Sequence, residues 1–147
     1  MKEIRYNLTD IDDSQFAIFP ENYVEGKEVA VFAKMNVASN NDGASLKFDS
    51  RLELKQDDKL FIVSEIACKF AVTKESWEDV DEKKKMLPSG FIRHLASIAI
   101  GTQRGIIIAR TKDSSIHKFI LPPIDLTEVV KDDFVKEISE SFGEPLS

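Results

Sequence analysis

The run from Leu87 to Thr111, LPSGFIRHLASIAIGTQRGIIIART, constrains the fold more than any other stretch of the chain. Phe91, Leu95, Ile98 and Ala99 recur at steps of three and four, with Ile92, Thr102 and Ile106 on the same side. That is the spacing of one helical face. Pro88 stands where a first-turn proline is tolerated, because its missing N–H would have had no partner there. Ile100 and Ile107 fall away from the first face, beside Ala96, so the helix is apolar on two sides. One side is expected to meet a sheet and the other a neighbour.

Ser97, Gly101 and Gly105 lie four residues apart on the same helix and form a row of small side chains where another backbone can approach. Such rows are best documented in membranes. Here Arg93, His94, Gln103 and Arg104 interrupt the run, and no stretch reaches the roughly 18 apolar residues that a span needs. Two readings of the glycines stand side by side. Either they form a packing row, or they only weaken the helix by about 1 kcal/mol each, with Gly105 as a candidate terminus.

Ahead of this helix the periodicity is that of strands. Tyr6 to Pro20 reads as an extended stretch with a kink or bulge, interrupted by Asp10, Asp12 and Asp13. Val29, Val31, Ala33, Met35 and Val37 then occupy every second position, as in a strand with one buried face. In the next segment Leu46, Phe48, Leu52 and Leu54 alternate with Lys47, Asp49, Arg51, Glu53 and Lys55, a core face against a wet face, which favours an antiparallel sheet. The turn Gln56 to Lys59 leads into Leu60 to Val72. There Ile62, Ile66, Cys68, Phe70 and Val72 share one face, while Phe61, Val63, Ala67 and Ala71 put apolar groups on the other. The simplest partner for that second face is another subunit.

Thr73 to Lys85 is a charged connector holding Trp77, the only tryptophan, which either folds back onto the core or lines an exposed groove. After the long helix, Lys112 to Lys118 reads as a polar loop. Phe119 to Ile124 is extended, because Pro122 and Pro123 keep it out of helix. Asp125 and Glu128 resemble a capping box for a last helix, with Leu126, Val130, Phe134 and Ile138 at steps of four and Gly143 and Pro145 as its stop. Strands first and helices after predict an α+β fold: a four-stranded antiparallel sheet built from Leu8 to Val72, with both helices on one face.

With 147 residues, 42% of them hydrophobic, the chain has the size of one domain, 1–147, able to bury its own core. A net charge of −6 argues against nucleic acid or anionic lipid as a general partner, and Met1 to Asp10 lacks the apolar segment of a signal peptide. The lone Cys68 suits a reducing cytoplasm and, from its place on an apolar strand face, reads as an inert thiol. His94 and His117 sit in no nucleophile or metal motif. Asp10, Asp12 and Asp13 lack the glycine and distal glutamate of a calcium loop, and the stretch from Gly101 to Gly105 is too poor in glycine for a phosphate loop. The expectation is a binding protein that is not an enzyme and needs no cofactor. The alternatives are a small apolar-ligand carrier or another oligomeric binding protein of the same fold that is not a chaperone.

Several short runs resemble the SecB protein-export chaperone and its SecB-like relatives. They are Asp13-Ser14-Gln15-Phe16, Phe61-Ile62-Val63-Ser64-Glu65, Arg104-Gly105, and Leu121-Pro122-Pro123-Ile124-Asp125-Leu126, in the same order between about Leu8 and about Val130. The resemblance implies an ATP-independent holdase that binds unfolded or precursor polypeptides in apolar grooves, with Phe70, Trp77, Phe91 and Leu95 in the regions that line them. It also implies a dimer of dimers, for which Ser97, Ile100, Gly101, Gly105 and Ile107 are the expected interface. Asp13, Val63 and Glu65 match positions that face the SecA motor. Ala17 stands where that pattern has an acidic residue, the helix runs on past Ile106, and no long polar tail follows Gly143. Those departures weaken the expectation of SecA delivery and leave that of client holding.

Overall fold

The computed structural model describes residues 4–39, 45–76, 86–129, 134–135 and 137–138. Strands β1 (Tyr6–Ile18), β2 (Ala30–Ser39), β3 (Ser45–Gln56) and β4 (Lys59–Val72) form an antiparallel sheet in the order β1-β4-β3-β2. After the two-residue strand β5 (Met86–Leu87) comes the long helix α1 (Ser89–Thr111), which lies over β3 and β4. The fold is α+β, as the order of periodicities predicts.

Each element follows from local chemistry. In β3 the apolar positions Leu46, Phe48, Leu52 and Leu54 are fully buried under the helix, while Lys47, Asp49, Arg51, Glu53 and Lys55 line the other face. Asp57 and Asp58 close the β3–β4 hairpin with φ of 49° and 65°. Both central residues are thus left-handed, which matches the twist of the flanking strands, and Asp tolerates that region better than most residues. The crossover from β1 to β2 is tied down by the buried Gln56: its Oε1 accepts from the Val24 amide at 2.8 Å and its Nε2 donates to the Val24 carbonyl at 2.9 Å.

Two apolar clusters fill the space between sheet and helix. One gathers Phe48, Ile66, Cys68 and Phe70 with Ile92, Leu95 and Ala99; the other gathers Leu52, Leu54, Phe61 and Ile62 with Ile100, Ile107, Phe119 and Leu121. Burying one such large side chain contributes about 1.5–3 kcal/mol. The clusters meet at a polar knot. Gln103, fully buried on α1, accepts a hydrogen bond from the Ser50 hydroxyl at 2.7 Å and donates to the carbonyls of Ser50 (3.1 Å) and Ser64 (3.0 Å).

The second cluster corrects the expectation that Ile100 and Ile107 need another subunit. Ile116, Phe119 and Leu121 of the segment after α1 fold back onto them and bury both. Arg104 holds that segment, donating from Nε to the Leu121 carbonyl at 3.0 Å, and Thr111 accepts from the Phe119 amide at 2.9 Å. Phe61 is covered within the chain as well. A register shift between Leu54 and Lys55 brings Phe61 into the same cluster as its neighbour Ile62, where it packs on Tyr23 and Phe119 at ring separations of 5.0 and 5.5 Å. The helix does not stop at Gly105 but continues to Thr111.

The last helix is much shorter than its spacing implies. Asp125 does cap it, accepting from the Thr127 amide at 3.0 Å, but among the described residues α2 covers Leu126–Val129, and residues 134–135 are already strand. Strand β6 (Phe134–Val135) pairs with β5, and β7 (Glu137–Ile138) pairs in parallel with Ala38 and Ser39 of β2. A step of four is also a multiple of two, so it fits a strand as well as a helix. The β-branched and aromatic residues here lean toward the extended form once open edges are within reach. Trp77, Val130, Gly143 and Pro145 lie outside the described residues.

Candidate polypeptide-binding site

Among the described residues β1 is an edge strand, paired on one side, to β4. Register shifts fall between Leu8 and Asp10 and between Asp13 and Gln15. With two residues taken up by bulges, the positions that share the helix-side face become Tyr6, Leu8, Ile11, Asp13, Phe16 and Ile18, at steps of two and three. Leu8 lies opposite Phe70 and Ile11 opposite Cys68, both core positions of β4. Yet Leu8 and Ile11 are 42% and 41% exposed, because α1 sits over β3 and β4 and leaves the edge strand uncovered at its middle.

Helix and edge strand meet near each end of the helix. At one end Tyr6 packs edge-on against Phe91 (5.5 Å) and His94 (5.7 Å). At the other, Arg110 pairs with the Asp13 carboxylate and lies over the Phe16 ring, 5.1 Å from its centroid. Ile98, Thr102 and Ile106 follow at steps of four between His94 and Arg110, so they share the flank that faces β1. Ile98 and Ile106 are half-buried against the first cluster. Between those contacts, register and helical spacing put the exposed Leu8 and Ile11 of β1 and the half-buried Ile98 and Ile106 of α1 on flanks that face each other, an apolar strip along the edge of the sheet. Burial raises the Tyr6 hydroxyl above its ordinary pKa.

The expected groove residues divide. Phe91 is half-buried at the end of the strip, whereas Phe70 and Leu95 are at the centre of the core and covered on every side. Residues on the helix-side face of a central strand and on the sheet-side face of the helix meet each other, so a client cannot reach them. Leu8, Ile11, Ile98 and Ile106 were not expected. The two bulges hide the edge-strand residues from any search for alternation, and the helix residues look like core until the helix is seen to sit off-centre.

The opposite face of the sheet is charged. Asp12, Lys34, Lys47, Asp49 and Glu65 contribute to the lining of an open concavity of about 590 Å³. Asp49 is raised above the ordinary carboxylate range by burial, against the lowering pull of Lys47. Of the three residues matched to a motor-facing surface, Glu65 lines this concavity, Asp13 turns its carboxylate to the helix side and pairs with Arg110, and Val63 is buried. Ser97, Gly101 and Gly105 form an exposed row on α1, where a Cβ added at either glycine would meet nothing within 4 Å.

Cys68 is buried in the first cluster, and burial pushes its thiol up to about 11. The native thiol should therefore stay unreactive toward an aromatic disulfide reagent at pH 8, while urea-unfolded protein reacts fully. Rapid native labelling at that pH would contradict the packing. Among the described residues, no group of three His, Cys, Asp or Glu side chains is placed to hold a metal ion, and no helix is long and apolar enough to cross a membrane.

No protein-family model matches the chain, and no curated protein matches it. Among solved structures it is similar to a SecB-like chaperone of Mycobacterium tuberculosis in complex with a peptide from an antitoxin. That likeness has 12% identity and a TM-score of 0.46, and it covers 84% of this chain and 87% of the other. A protein of unknown function from Streptococcus agalactiae is similar at 10% identity and a TM-score of 0.44, over 84% of this chain and all of that one. Both likenesses are too distant to carry a function across.

Proposed function

We propose that this protein is an ATP-independent holdase that binds unfolded polypeptides at the strip between β1 and α1. The observation that carries the reading is the exposure of Leu8 and Ile11 on the core-side face of the sheet. An apolar strip rimmed by charge suits transient apolar segments and reads no particular sequence. Asp10 and Asp12 beside it, and the net charge of −6, keep a loaded complex soluble. A carrier of small apolar ligands is less well supported, since the concavity on the outer sheet face is lined by Asp12, Lys34, Asp49 and other charges. The reading includes a cytoplasmic homo-oligomer, a dimer of dimers, for which the open row Ser97, Gly101 and Gly105 offers close backbone approach. The SecA motor is not included as a partner, because the Asp13 carboxylate is already paired and Val63 is buried.

The test is aggregation of unrelated clients, such as reduced insulin, followed by light scattering without nucleotide. Suppression at a several-fold excess of this protein is the expected result. Unchanged aggregation of several clients would end the holdase reading and leave the fold.

A further inference from the structure

We propose that Gln103 is the positioning residue of the strip: it fixes α1 over β3 and β4, and so keeps Leu8 and Ile11 uncovered. The strip's role in client binding is taken from the reading above, whereas the placement of the helix is measured separately. The buried face of α1 is centred on Ile92, Ala96, Ala99, Gln103 and Ile107, at steps of three and four. Four of these five are apolar, and apolar packing is non-directional. Gln103 has partners in fixed places instead. Its Oε1 accepts from the Ser50 hydroxyl of β3 at 2.7 Å, and its Nε2 donates to the carbonyls of Ser50 at 3.1 Å and of Ser64, in β4, at 3.0 Å. Helix-side positions flanking that seat are large and apolar, Phe48 and Leu52 in β3 and Ile62 and Ile66 in β4, so the two serines interrupt an otherwise apolar surface.

Without the seat, apolar burial favours a different placement. Leu8 and Ile11 are exposed on the helix side of β1, and Ile98 and Ile106 are half-buried on the flank of α1 that faces them. Rolling α1 toward β1 would bury more of all four. The helix already meets β1 near both ends, at Tyr6 with Phe91 and at Asp13 with Arg110. What opposes the roll is the cost of drawing a fully buried amide away from its partners inside the core. A polar contact in an apolar interface thus selects one arrangement at the expense of stability, as a buried asparagine does when it fixes the register of paired helices.

The test puts a thiol on the strip with Ile11→Cys and follows its reaction with an aromatic disulfide reagent at pH 8. Cys68 is buried, and the same backgrounds without Ile11→Cys report through it whether the core opens. With the native knot the strip thiol should label freely. With Gln103→Leu, Ser50→Ala and Ser64→Ala added, its labelling should slow at least fivefold, and the same three substitutions without Ile11→Cys should weaken client suppression. The direction of the change separates positioning from a purely structural role. Removing a knot that only stabilises the core would leave the strip thiol as reactive as before, or more so. Unchanged or faster labelling of the strip thiol, in protein with native circular dichroism, would therefore overturn the inference. Should the triple replacement not fold, Gln103→Met keeps both serines and a side chain of similar length, and is read in the same way. Slower labelling with undiminished suppression would uphold the placement of the helix and contradict the client-binding reading, so the two fail separately.

Discussion

Replacing Gln103 with alanine should lower stability by about 3–5 kcal/mol, the sum of a core cavity and of buried polar groups left without partners. Gln103 is fully buried, and its amide is matched to the Ser50 hydroxyl and to the carbonyls of Ser50 and Ser64. In a chain of this size that loss corresponds to a drop in melting temperature of about 6–20 °C. Gln103→Leu keeps most of the volume, so it isolates the polar part, about 2–3 kcal/mol. Adding Ser50→Ala and Ser64→Ala to Gln103→Leu should recover part of that loss, because the two hydroxyls are removed together with their partner. Urea titration distinguishes the cases. A Gln103→Leu variant as stable as the wild type would mean that the knot is not a structural tie between helix and sheet.

That knot also shows how far the sequence could be read. Alternation from Leu46 to Leu54 breaks at Ser50, and the helical face breaks at Gln103; each is legible as a polar residue in a core position, but their pairing is not. The strands, the hairpin at Asp57 and Asp58, the kinked first strand and the helix ending at Thr111 all follow from local periodicity and turn chemistry. What escaped depends on tertiary placement. Pro122 and Pro123 mark an extended segment, but not its docking over Ile100 and Ile107 through Arg104. Steps of four from Leu126 to Ile138 describe a helix or a strand equally, and pairing with β5 and with the end of β2 decided for strands. The strip was hidden for a similar reason, since Leu8 and Ile11 are apolar residues of a strand whose exposure depends on the helix lying off-centre.

Leu8→Ser with Ile11→Ser should abolish most client holding while leaving the fold in place. Both side chains already expose about two-fifths of their surface, so the lost burial costs about 1 kcal/mol each, plus a smaller loss of strand propensity. The contacts at the two ends of the strip, Tyr6 with Phe91 and Arg110 with Asp13, are untouched. Binding of a transient apolar segment, by contrast, depends on the area that these two residues offer. At equal concentration the double variant should need at least a fivefold greater excess to reach the same suppression.

The most direct measurement compares wild type and the Leu8→Ser, Ile11→Ser variant in one light-scattering assay. Circular dichroism and static scattering serve to establish that fold and mass are equal. Suppression by the wild type, largely lost in the variant, is the predicted result. Equal suppression by both proteins would place the client elsewhere and contradict the assignment of the strip between β1 and α1.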